Sequence, residues 1–313
     1  MLLMVLRKMI KNRWMVLCLM VGSIIAVAMV SSIPMYTDAI LQRLLVKDIE
    51  QIQTDKEVYA GRYLIDAQLK DFFGDNACLN AFNTINTRQN EEFVNQLKMP
   101  VAASAAKIVA EPLIGRRSDG VESRRISFSA VGMTGLFEKV AIKSGKLPAT
   151  EVVDGCYEVM VSEQCMNEFD LALGAIYSLT DNHGRYPYEV RIKIVGTFAY
   201  DNANDPYWYT DISQFNKALV MDYTLLYNNL INIDATQSMV KSAAWYYAFD
   251  YTQLSIDDIA AVSASLQEQT DWLQAAMHVK LDMPAMPVIG TYVTRAAQLQ
   301  TTDRKSTLLN SSH

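Results

Sequence analysis

Tyr188-Glu189-Val190-Arg191-Ile192-Lys193-Ile194-Val195-Gly196-Thr197-Phe198 alternates apolar and charged residues through its first seven positions. Successive side chains of a strand point to opposite faces, so the pattern predicts Val190, Ile192 and Ile194 on a core and Glu189, Arg191 and Lys193 in water. Upstream of it, Asp181-Asn182-His183-Gly184 reads as a turn and Ala175 to Thr180 as the preceding strand. Ser162 stands as the N-cap of a helix through Leu171 that Gly174 ends, and Cys156 to Ser162 forms a short apolar strand before it. Further back, Ile126, Phe128 and Ala130 alternate with Ser127 and Ser129. Gly115 to Glu122 reads as a hairpin tip, with Arg124 and Arg125 extending its charge. Downstream, Asn202 to Asp211 is a loop, Trp245 to Tyr251 a strand, and Ser255 to His278 a long helix carrying Ile256, Ile259, Val262, Leu266 and Leu273. Separate helices and antiparallel strands predict an α+β fold rather than a doubly wound sheet. The segment from Lys56 to about Leu113 gives only weak patterns: an aromatic stretch, an Asn-rich patch and a short helix-like run.

Before this domain, Met15 to Ile33 carries no charged residue. A hydrocarbon core about 30 Å thick takes about 20 such residues in a helix, so Trp14 to Met35 is expected to span a bilayer. Arg7, Lys8, Lys11 and Arg13 precede it with no acidic residue among them, and the positive-inside bias then puts residues 1–13 in the cytoplasm and the remainder outside. Ala26-Val27-Ala28 leaves a cleaved signal peptide as the alternative. Past Pro34, Ile40, Leu41, Leu44, Leu45, Ile49 and Ile52 recur at helical spacing, which predicts a helical stalk over 36–56, leading into an α+β domain over 57–300. Residues 301–313 lose periodicity and are expected to be unstructured. Removing the four N-terminal cations leaves 24 basic against 34 acidic residues, about −10 beyond the helix. Such a balance repels nucleic acid and shows no basic stripe along the chain. Cys78, Cys156 and Cys165 cannot all pair with one another, so no disulfide framework is expected.

Reactive chemistry is sparse. Ser144-Gly145-Lys146 lacks both the leading glycine and the following hydroxyl of a phosphate-binding loop, so the chain is not expected to hydrolyse ATP or to be an enzyme. His183 and His278 stand apart from other ligand types, and no metal or cofactor site is expected. Cys165 falls in the first turn after Ser162, where a helix dipole lowers a thiol's pKa, but no partner base accompanies it. Asp257 and Asp258 at the start of the long helix read as capping. Tyr207-Trp208-Tyr209 and Trp245-Tyr246-Tyr247 read either as core or as the lining of a ligand groove.

Several of these pieces, taken in order, resemble ABC transporter permease subunits of the FtsX-like and MacB-like family. The basic N-terminus, the apolar helix and its extension through Ser31-Ser32-Ile33-Pro34-Met35-Tyr36 are similar to that family's first transmembrane helix. Ser144-Gly145-Lys146-Leu147-Pro148 resembles its "G-[RK]-[LM]-P" turn. Glu158 to Ser162, then Leu171-x-Leu173-Gly174-Ala175-x-Tyr177-x-Leu179, then Val190 to Phe198 resemble its MacB-like extracytoplasmic core. The resemblance covers about residues 1–60 and 120–215. It implies a dimerising permease subunit in the cell membrane, coupled to a separate or fused ABC ATPase and moving an extracytoplasmic domain. It also implies further transmembrane helices after that domain, so the chain is expected to be an N-terminal fragment. A single-pass sensor with a ligand-binding ectodomain is the alternative.

Overall fold

A computed structural model describes residues 13–69, 77–97, 99–118, 125–181, 189–233, 238–275 and 279–310. The expected turn at 182–184, the hairpin tip beyond 118, His183, Arg124, His278, the N-terminal cations before Arg13 and the last three residues lie outside them.

One helix, α1 (Arg13–Lys56), runs unbroken for 44 residues, about 66 Å at 1.5 Å each. Its first half exposes Leu17, Leu19, Met20, Ile24, Ile25 and Val27. Among the described residues no helix is long and apolar enough to cross a membrane; within the expected span, the side chains at 15, 16 and 30–35 lie outside the description. The second half docks. Leu45 and Ile49 are fully buried, Gln42 donates to the Leu254 carbonyl at 2.6 Å and accepts from the Ile256 N–H at 2.8 Å, and Asp48 accepts from the Tyr292 hydroxyl at 2.7 Å.

The fold is α+β, with its strands in one mixed sheet. An antiparallel arm orders β11 (Val279–Asp282), β1 (Arg62–Gln68), β10 (Val240–Phe249) and β2 (Val101–Ala110). It continues through β4 (Ile126–Met133), β3 (Leu113–Arg117), β7 (Ile176–Thr180), β8 (Val190–Tyr200), β6 (Tyr157–Ser162) and β9 (Ala218–Val220). Because β9 also pairs with β4, this second part closes into a six-stranded ring. The strand β5 (Val140–Gly145) pairs with the distal half of β8. Val190, Ile192 and Ile194 are buried as their alternation predicts. The helix after the Ser162 cap is shorter than expected: α3 spans Glu163–Glu168.

Helices cover one sheet face. They are α2 (Ala77–Thr87, continued by a π turn Arg88–Phe93), α5 (Ile259–Ala275), α6 (Met286–Asn310) and the docked end of α1, while the single turn α4 (Tyr223–Leu226) packs nearby. The Asn-rich patch has a role here. Asn83, Asn86 and Asn90 share one face of the helix and accept from half-buried Tyr227 and buried Trp245 and Tyr247, giving these aromatic donors partners at 2.9–3.2 Å. Residues 301–310 are helical rather than unstructured. No Gly or Pro follows Gly290 in α6, so nothing local stops the helix when its apolar periodicity ends.

Where β5 meets β8, Gly145 lies opposite Gly196. A Cβ on Gly196 would sit 2.5 Å from the Lys146 carbonyl oxygen, and one on Gly145 would sit 2.0 Å from that of Val195. The Lys146 ammonium then reaches both oxygens of Glu158 on β6, at 2.8 and 2.9 Å, and the Ala149 N–H donates to the same carboxylate at 3.0 Å. Burial raises the Glu158 pKa, but these donors outweigh it and hold the carboxyl below its ordinary value. Gly196→Ala is expected to lose about 3 kcal/mol of stability in urea titration, by forcing two backbones apart. Because its folded pKa is depressed, Glu158 stabilises the fold above its unfolded value of 4.5 and ceases to do so as the pH falls through the folded value. Glu158→Gln is therefore expected to cost about 2 kcal/mol at neutral pH. Urea midpoints of the two proteins are expected to converge in acid.

Candidate functional site

The opposite face of the sheet is covered only in part. Along β1, even-numbered residues point to this face, and the register aligns Lys280, Asp66, Ala244 and Lys107 in one row across β11, β1, β10 and β2. The neighbouring row is Asp282, Leu64, Tyr246 and Ala105. One end is roofed by the loop after β8. Tyr246 donates its hydroxyl to the Pro206 carbonyl at 2.6 Å, Tyr207 donates to that of Thr134 at 2.8 Å, and the Tyr209 and Tyr246 rings lie 5.0 Å apart. Lys139 holds Asp205 at 2.7 Å. Burial raises the Asp205 pKa, yet Lys139 and the Tyr207 N–H together hold it below its usual value.

Both aromatic triplets are thus mainly core. Tyr207, Tyr209 and Tyr246 pack beneath the roof, Trp245 and Tyr247 face the helices, and Trp208 is half-buried. Cys165 is fully buried with its thiol pushed up to about 12 by burial, with Glu168 adding to the rise. This makes it a packing residue and not a nucleophile. The Ser162 hydroxyl accepts from the Cys165 N–H, the expected cap. No disulfide joins the cysteines, and among the described residues no cluster of metal-binding side chains occurs.

Beside the roof the face opens into a groove. A cavity of about 420 Å³ is lined by Arg62, Asp66, Lys107, Tyr209, Lys280 and Asp282 among others. Lys107 also lines a neighbouring cavity of about 220 Å³ with Lys217 and Lys241, which both continue into a third of about 680 Å³ with Arg125, Glu168 and Phe169. Six basic side chains therefore face three carboxylates, on a chain whose overall charge is −6. Linear sequence shows no basic stripe because these cations come from strands and strand ends distant in the chain. Arg62 is engaged: its Nε lies 2.9 Å from Asp282 without the alignment of a hydrogen bond, and its Nη1 donates to the Tyr209 carbonyl at 2.8 Å. Lys107 donates to the neutral Gln214 side chain and lies 5.5 Å from the Tyr209 ring centroid. Burial pushes its pKa down, opposed by Asp66.

No family model matches the chain, and no curated protein matches it. Among solved structures, a domain of a "putative Permease protein" from Porphyromonas gingivalis aligns with 71% of this chain and 89% of that one. Identity is 12% and the TM-score is 0.30, so the two folds agree only loosely.

Arg62 ties the roof to the sheet edge. Arg62→Met is expected to cost about 2 kcal/mol and to speed protease cleavage between residues 201 and 211. Unchanged cleavage kinetics would show that the aromatic contacts alone hold the roof.

Proposed function

We propose that the chain belongs to an ABC transporter permease subunit. On this reading the first half of α1 spans the cell membrane, the sheet domain lies outside the cytoplasm, and a partner ATPase drives it. The observation that carries the reading is the continuity of α1. One helix joins an exposed apolar half to a half locked into the domain core by Leu45, Ile49, Gln42 and Asp48. A helix satisfies its own backbone hydrogen bonds, which lipid requires, and a helix clamped at one end passes displacement along its axis. Apolar surface on the free half matches a bilayer, and the uncharged run from Met15 to Ile33 is long enough for one. The domain supplies no chemistry of its own on this reading; it moves, in a dimer of permease subunits.

α6 supports the same arrangement. Its Ile289, Tyr292, Val293 and Ala296 join the core that receives Leu41, Leu45 and Ile49 of α1, so two long helices share one attachment to the sheet. The sensor alternative draws on the groove, which offers a ligand site without requiring an ATPase.

Glu151 lies exposed, whereas Cys156 and Cys165 are buried. In the Cys18→Ser, Cys78→Ser, Glu151→Cys variant of the full chain, a membrane-impermeant maleimide is expected to label intact cells as fully as lysed ones. Purification in mild detergent is expected to bring down an ATPase and ATP hydrolysis. Labelling only after lysis rules out the exported domain, and labelled but ATPase-free material favours the sensor.

A further inference from the structure

We infer that the groove on the open sheet face binds an elongated small-molecule dianion, with carboxylate or phosphate groups seated at Lys107 and at the Lys217–Lys241 pair. Hydrogen-bonding capacity there is unbalanced. Lys107 is half-buried, yet among the described residues no carboxylate pairs with it, and its one hydrogen-bond partner is a neutral amide. Beside it, the Tyr209 hydroxyl and the Gln214 Nε2 are buried without partners. All three are donors, and a buried donor left unpaired is costly, so the missing component is an acceptor-rich, negatively charged group. The aromatic ring next to Lys107 adds a flat wall for the ligand's body.

Lys241 supplies an independent observation. On β10 the register steps from Val240, opposite Ala110, directly to Ser242, opposite Val109, so Lys241 is the extra residue of a bulge. Val240 packs in the helix-side core while Lys241 lines the groove with Lys217. A bulge re-aims one side chain against the strand's alternation, a device common beside binding sites. From Lys241 to Ala244, the neighbour of Lys107 across the ladder, is three residues, or about 10 Å along the strand. Among the described residues neither Lys217 nor Lys241 forms an ion pair. Two anionic groups at that separation would meet both clusters, whereas a single anion meets one. This inference stands whether or not α1 enters a bilayer.

Calorimetric titration of the full chain in detergent tests it with suberate, a hexanediol bisphosphate, octanoate and inorganic phosphate as probes. One or both dianions are expected to bind about tenfold more tightly than octanoate and phosphate, and preference between them identifies the anionic group. Lys107→Gln and Lys241→Gln are each expected to weaken the dianion about tenfold, the loss of one charge-assisted contact. Lys143→Gln, on the exposed side of β5, is expected to change nothing. Should Lys107→Gln unfold the protein, Lys241→Gln decides. Equal binding of suberate and octanoate, or affinity unmoved by Lys241→Gln, overturns the inference. Tight binding of poly-glutamate without suberate also overturns it, and points to an acidic polypeptide instead.

Discussion

The close passage of Gly145 over Gly196 fixes how β5 and the Lys146–Glu158 pair sit against the ring. With no Cβ on either residue, β5 approaches β8 until the Lys146 N–H bonds to the Val195 carbonyl at 2.9 Å. That approach brings the Lys146 side chain over β6 and onto Glu158, which is only 3% exposed. Three strands are thereby tied at one point: β5 and β8 by backbone, β6 by a carboxylate between an ammonium and the Ala149 N–H. A buried carboxylate with fewer donors would take up a proton instead, so the pair works only because the glycines permit the approach. The Gly-Lys-Leu-Pro turn and the Val-Gly-x-Phe strand, which read as separate motifs, are two halves of this contact.

The sheet's two faces divide the work. On the helical face, large apolar and aromatic side chains are buried, and Tyr227, Trp245 and Tyr247 each donate to an asparagine of α2 or its π turn. On the open face, small residues such as Ala244 and Ser242 form a floor, and the long charged side chains stand around it as walls. Charge collects there because no helix covers it, leaving water to solvate the exposed groups. Lys107 is the exception, held under the Tyr209 ring where hydration is reduced. The aromatic roof thus shields one end of the groove and lowers the local dielectric around a cation.

Legibility in the sequence followed burial. β8 was readable because only one of its faces is buried along its first half, so apolar and charged residues alternate. β2, Val-Ala-Ala-Ser-Ala-Ala-Lys-Ile-Val-Ala, was not, since small residues serve both faces and erase the period. β11 has four residues, too few for any period, and takes its place only by pairing with β1. α6 runs on through residues expected to be unstructured because helix termination needs a local signal and none is present. The groove was invisible for a different reason. Residues 62, 107, 125, 217, 241 and 280 meet through strand order, and the bulge at Lys241 leaves no local signature. The aromatic triplet at Tyr207 to Tyr209 marked the right region, although its rings serve chiefly as roof and core.

Helix and groove are joined by very little chain. α1 ends at Lys56, Glu57 turns the backbone at a φ of 54°, and Arg62 already stands in the groove. Gly61 makes the corner tight, since its own backbone passes so near β10 that a Cβ on it would sit 2.0 Å from the Phe249 carbonyl oxygen. Little slack remains between the end of the helix and the residue that pairs with Asp282 and carries the Tyr209 carbonyl. A shift of α1 along its axis must therefore either break the Gln42 and Asp48 contacts or displace Arg62. Coupling of this kind is reciprocal: any ligand whose affinity depends on the position of Arg62 biases the position of the helix by the same free energy. On the proposed function, a ligand in the groove that touches Arg62 would, through the short path from Lys56 to Arg62, share one equilibrium with a moving helix.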